Sequence, residues 1–154
     1  MTGLKTHIDP GAEDWPDFIK RHFGSVAFLR FMDVTVEETG PGTAVLSLPL
    51  RPEFANSYGI AHGGIAALFV DMAAGVALRT LKKTVVTVET ATTYLAPIPI
   101  EGVLRAEAQT LHQGRRILHA EVRLIAPGGV LAAVGRAIYT ATGVDTGKYP
   151  AKAE

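Results

Sequence analysis

The chain has no cysteine, which removes disulfides and thiolate metal sites at the outset. It also lacks any excess of charge, with 15 Lys and Arg against 15 Asp and Glu and a formal net charge of zero. That balance argues against an extended nucleic-acid surface, and low net charge leaves room for self-association. No apolar run follows the early Lys5, so the N-terminus does not read as a signal peptide. The apolar stretch from Ile65 to Leu81 is short for a membrane span and carries both Asp71 and Arg79. Internal repeats and low-complexity segments are missing as well. A soluble cytoplasmic protein, with no nucleic-acid or membrane partner, is the expectation.

What is present is enough for one domain with a sizeable core: 154 residues, 47% of them hydrophobic. Residues 1–13 are polar and read as loose. Asp14 then stands as an N-cap before Trp15-Pro16, predicting a short helix through Asp17–His22 with Phe18, Ile19 and Phe23 on its apolar side and Gly24 as its stop. Val26–Met32 is an apolar link whose pattern suits a helix or a turn. Strand signals begin at Asp33–Glu38, where Val34 and Val36 share one face. Gly40-Pro41-Gly42 turns the chain into Thr43–Leu50, with Ala44, Leu46, Leu48 and Leu50 on one side.

After a loop and the apolar helix, four more strands follow: Thr84–Leu95, Gly102–Leu111, Arg116–Ala126 and Val130–Ala141. Short turns at Gln113-Gly114-Arg115 and Pro127-Gly128-Gly129 make these antiparallel. A helix apolar on nearly every side needs a covering surface. One curved antiparallel sheet around one central helix, an α+β fold, meets both demands. The domain reading is an N-terminal helical segment over 1–32, a sheet-and-helix domain over 33–142 and a flexible tail over 143–154.

The chemistry concentrates between Phe54 and Leu81, FANSYGIAHGGIAALFVDMAAGVALRTL. His62-Gly63-Gly64 sits where the helix starts. Helix N-termini carry unpaired N–H groups and positive partial charge, and glycines there let a ligand oxygen come close, as an oxyanion hole requires. A glycine turn that merely begins a helix is the plain alternative. Asp71 lies inside the apolar helix, with Ala67, Leu68, Ala74 and Gly75 at three and four positions from it, so no intrahelical ion pair relieves its charge. A carboxylate so placed needs a structural partner or a chemical task. Asn56, before Ser57-Tyr58-Gly59, suits a turn as well as a polar contact to a ligand.

Gly63 and Asp71 are eight residues apart, or ~12 Å along a helix rising ~1.5 Å per residue. One carbonyl cannot touch both on the same helix. Two such helices, antiparallel across a two-fold axis, would bring the N-terminus of one near the Asp71 of the other and create two equivalent composite sites. If the site is catalytic, it is a dimer site.

The spacing of Asn56, His62-Gly63-Gly64 and Asp71 resembles that of the hotdog-fold acyl-CoA thioesterases, and most closely their PaaI-like, phenylacetate-degradation (THEM2-type) branch. VVTVETATTYLAP (Val85–Pro97), QGRRILHAEV (Gln113–Val122) and LAAVGRAIYT (Leu131–Thr140) resemble strands of the same family, so the likeness covers most of residues 30–141. It implies a six-stranded antiparallel sheet, ordered 1-2-4-5-6-3, around a central helix. It implies hydrolysis of aryl or medium-chain acyl-CoA thioesters to free acid and CoA without a cofactor, by a homodimer or a dimer-of-dimers homotetramer. In such a site the Gly63 N–H, helped by Asn56, polarises the thioester carbonyl. Asp71 of the partner subunit activates water or attacks directly, and Thr87 orients it, standing where some members have serine. Helix-end donors of this kind stabilise a developing oxyanion by roughly 3 kcal/mol each.

Other residues carry weaker signals. His62 and Gly64 border the helix start and are candidates for substrate contact. Arg115, Arg116 and Arg136 could meet the CoA phosphates, or simply be solvated strand-end cations. His7, His22, His112 and His119 show no pairing with His62 at metal-ligand spacing, so no metal site is expected. Phe18, Phe23, Phe28 and Phe31 could cap an acyl pocket or belong to the core. The competing functions are a non-catalytic acyl-CoA binding module and a hotdog hydratase or dehydratase.

Overall fold

A computed structural model describes residues 14–142; the expected loose start at 1–13 and the tail at 143–154 lie outside them. Two short helices, α1 (Trp15–Gly24) and α2 (Ala27–Phe31), precede strands β1 (Thr35–Gly40) and β2 (Thr43–Pro49). The long helix α3 (Gly63–Arg79) follows, and then β3 (Val85–Tyr94), β4 (Val103–Gln113), β5 (Ile117–Ala126) and β6 (Val130–Ala141). The ambiguous link after α1 is thus helical in its middle. Strand ends differ from the sequence reading by one or two residues. Asp33 is a turn residue at φ 57°, so β1 starts later.

All six strands form one antiparallel sheet in the order β1-β2-β4-β5-β6-β3. This is the hotdog arrangement that the resemblance implies. The departure from simple hairpin order is β3, which does not pair with β4. Pro97 and Pro99 lack the N–H groups a strand needs, and the chain from Leu95 crosses the end of the sheet instead. Leu95 and Ala96 donate to Ala132 O, Ala61 donates to Ile98 O, and Leu50 donates to Gly102 O along that crossing. β3 is left as an edge strand with one bonded neighbour, β6.

The concave face of the sheet closes on α3. Ala66, Phe69, Val70, Ala73, Ala74, Val76, Ala77 and Leu78 of the helix are buried against alternating inward residues such as Leu46, Leu48, Leu104, Leu118, Val122 and Leu124. The small residues let helix and sheet approach closely, and the leucines fill the remaining volume. Thr80 anchors the C-terminal end of α3: its hydroxyl donates to Ala77 O at 2.6 Å and accepts from the Gly42 N–H at 2.7 Å. α1 lies over the same end, with Trp15, Phe18 and Ile19 buried and Phe23 partly so. Phe28 and Phe31, by contrast, are 48% and 70% exposed and belong to no core.

Candidate active site

The N-terminus of α3 is built by local bonds. The Asn56 Oδ1 accepts from the Tyr58 N–H at 2.8 Å and, more weakly, from the Ile60 N–H at 3.4 Å. Asn56 is therefore a turn former, as its setting suggests. With Oδ1 engaged, its amide NH2 is the group it can offer to a ligand. His62 is the N-cap of α3, and its Nδ1 accepts from the Gly64 N–H at 2.9 Å. That assigns the ring proton to Nε2. The Ile65 N–H bonds to His62 O. Of the first-turn donors, the Gly63 N–H is the one these bonds leave over for a ligand.

Gly63, Gly64 and Asn56 border a cleft of about 520 Å³, whose other walls include Ile60, Tyr94 and Pro97. Tyr94 is the member that sequence reasoning missed. Its hydroxyl donates to Gly63 O at 2.8 Å, and a Cβ on Gly63 would stand 3.3 Å from its ring. A side chain at position 63 would therefore press on this ring. The aromatic residue closing a β-branched strand, just before Leu95-Ala96-Pro97, was the only available signal.

Asp71 does not border the cleft. It stands two turns further along α3, half-buried, beside β3 and β6. The Thr87 hydroxyl donates to its Oδ1 at 2.8 Å, and the Tyr139 hydroxyl donates to the same oxygen at 2.7 Å. The partner that an acid in an apolar helix requires is thus a pair of hydroxyls from adjacent strands. Thr87 was implied by family likeness; Tyr139 was not foreseen. Burial raises the proton affinity of the Tyr139 phenol well above the ordinary 10.0, and the Asp71 carboxylate adds to this while Thr87 opposes it. The phenol is a donor at any ordinary pH.

The basic candidates lie elsewhere. Arg115 and Arg116 are exposed in the β4–β5 hairpin. The Lys83 ammonium donates to Gly114 O and the Ala141 N–H to Arg116 O, which places this hairpin at the start of β3 and the C-terminal end of α3. The cleft is at the opposite end, where Tyr94 pairs with Ala133. Arg136 is exposed on β6 opposite Glu121, three residues from Tyr139, and so on the sheet face turned away from α3. Phe28 and Phe31 do not border the cleft. No helix among the described residues is long and apolar enough to cross a membrane.

A six-stranded antiparallel sheet wrapped on one central helix defines the hotdog class of fold. The sequence pattern of the thioesterase superfamily matches residues 58–133. A suspected esterase of Halobacterium salinarum is 30% identical over 124 residues, spanning 75% of this chain and 81% of the relative. The PaaI protein from the phenylacetic acid degradation operon of E. coli superposes with a TM-score of 0.77 at 20% identity, covering 82% of this chain and 93% of that one. A hypothetical thioesterase of Streptococcus pneumoniae, solved with coenzyme A, superposes with a TM-score of 0.73 at 24% identity, covering 80% and 96%. The chain belongs to the thioesterase superfamily. It is a thioester hydrolase.

Proposed function

We propose that the protein hydrolyses acyl-CoA thioesters, with aryl or medium-chain acyl groups, at a site completed by a second copy of the chain. The observation that carries this reading is the separation of the two halves of the machinery. Gly63 and Asn56 border the cleft, while Asp71 lies two helical turns away beside the exposed Thr87. β3 supports the pairing. It is a ten-residue edge strand with Val86, Val88 and Tyr94 each at least half exposed, as is Leu95 just past its end, and an unpaired strand edge is a template for strand addition. A two-fold contact along it would set each Asp71 toward the other subunit's cleft, giving a dimer or a tetramer of two dimers.

In that arrangement the thioester carbonyl accepts from the Gly63 N–H and the Asn56 amide; Gly64 borders the cleft, and His62, which does not, caps the helix start through its bond from the Gly64 N–H. Asp71 of the other subunit takes a proton from water as the water oxygen bonds to the carbonyl carbon. The oxyanion that forms is held by the same donors. Collapse breaks the C–S bond, and the proton passes from Asp71 to the departing thiolate. Direct attack by Asp71, giving an acyl anhydride that water then opens, uses the same geometry. The antiparallel relation also carries the Arg115–Arg116 hairpin, which lies at the far end from its own cleft, toward the other subunit's cleft, where those cations and Arg136 are candidates for the CoA phosphates. The coenzyme A seen with the Streptococcus pneumoniae relative supports CoA as the carrier.

The test is thiol release over a panel of aryl- and medium-chain acyl-CoAs. Asp71→Asn should abolish turnover with thermal stability retained. An Asn variant working at the parental rate would exclude this mechanism. A fully active monomer would exclude the composite site.

A further inference from the structure

We infer that Tyr139 is a positioning residue that, together with Thr87, saturates Oδ1 of Asp71 and so assigns the chemistry to Oδ2. This deepens the proposed reaction and rests on Asp71 being its acid. A carboxylate oxygen offers about two acceptor positions. Thr87 and Tyr139 fill both on Oδ1, at 2.8 and 2.7 Å, from β3 and β6 respectively. The residues one turn away on α3, Ala67, Leu68, Ala74 and Gly75, supply no side-chain donor of their own. Oδ2 is therefore the oxygen left to take a proton from water or to bond to the acyl carbon.

The phenol is fitted for this role in two further ways. First, it is 4% exposed and lies over a gap in the helix: a Cβ on Gly75 would stand 3.2 Å from its oxygen. A glycine one turn beyond Asp71 thus makes the space in which the hydroxyl reaches the acid. Second, the same hydroxyl lies 2.8 Å from the main-chain oxygen of Asp71. It has one proton and two acceptors. While Asp71 is ionised, the charged oxygen draws that proton. When Oδ2 has taken a proton from water, the phenol can turn to the carbonyl instead, so no buried donor is stranded in either half of the cycle. Tyr139 neither loses a proton nor touches the substrate.

The experiment compares Tyr139→Phe, Gly75→Ala and Asp71→Asn in thiol release, with kcat and KM separated, a pH profile of kcat/KM and a melting temperature for each. Tyr139→Phe keeps the ring and removes one donor to the carboxylate. It should lower kcat roughly tenfold with KM within about twofold, the effect of one hydrogen bond to a charged group. The acid limb of the profile should move to higher pH, because the ionised acid has lost a donor. Gly75→Ala, which crowds the hydroxyl and keeps the phenol, should move the limb the same way; it decides the matter if Tyr139→Phe does not fold. Parental kcat and an unmoved acid limb in the folded variants, with Asp71→Asn inactive, would overturn the role of Tyr139 alone. An active Asp71→Asn would overturn the catalytic reading of Asp71 itself.

Discussion

A Cβ built on Gly135 of β6 would lie 2.6 Å from Cγ2 of Val70, a fully buried residue of α3. The helix is seated on the sheet at this point, and hydrogen is the largest group that fits between them. Gly135→Ala should therefore force α3 off the sheet and destabilise the protein by about 1–3 kcal/mol, the usual penalty for overpacking a dense core. Urea unfolding checks this. The compensating Gly135→Ala, Val70→Ala pair should recover part of the loss, because the added methyl then enters the space that valine vacates.

The contact between α1 and the end of α3 should make stability depend on pH. Burial holds the His22 imidazolium below its ordinary value of 6.5, and the guanidinium of Arg79 acts in the same direction. Arg79 is itself buried, 2% exposed, and burial pushes its own value down to about 10, so it stays charged near neutrality. With the histidine depressed, the unfolded chain binds more protons than the folded one just below 6.5. Stability then rises with pH. The contribution is complete above 6.5 and is lost as pH falls from there through the lower folded value. Unfolding curves across that interval should show the slope, and His22→Phe should flatten it.

Val88 on β3 tests the pairing of two copies. It is 59% exposed on the free edge, where lysine is a residue that blunts strand addition. Val88→Lys should yield a monomer by sedimentation, with thiol release falling at least about tenfold, since a composite site then has only half its groups. Its melting temperature should fall only as far as the loss of the partner requires. A monomeric variant with parental turnover would refute a site shared between subunits.

Much of this architecture was legible in the chain because the relevant signals are local. Alternation along Thr43–Leu50 or Arg116–Ala126 is a period-two pattern that a strand on a covered sheet must have, and both segments are strands within a residue. The glycines after His62 mark the helix start for a steric reason that the Tyr94 ring makes concrete. The eight-residue gap between Gly63 and Asp71 was equally readable, because helical rise is a constant. It sufficed to show that one subunit could not hold both groups on one carbonyl.

What the chain did not disclose depends on which strands become neighbours. Tyr139 is 68 residues from Asp71 and meets it because β6, at the centre of the sheet's second half, runs beside α3 and next to β3. Its place in a β-branched, small-residue strand reads as ordinary core. Phe28 and Phe31 fail in the other direction: their composition suggests burial, yet α2 is too short to cover both faces, and they are exposed.

By itself, then, the sequence determined the six strands, the start of α3 and the distance between a helix-end donor and an acid, because each follows from local periodicity and backbone geometry. Only the tertiary structure decided what holds that acid. Two hydroxyls from β3 and β6 converge on one oxygen of Asp71, and strand order, which no local pattern encodes, is what brings them there.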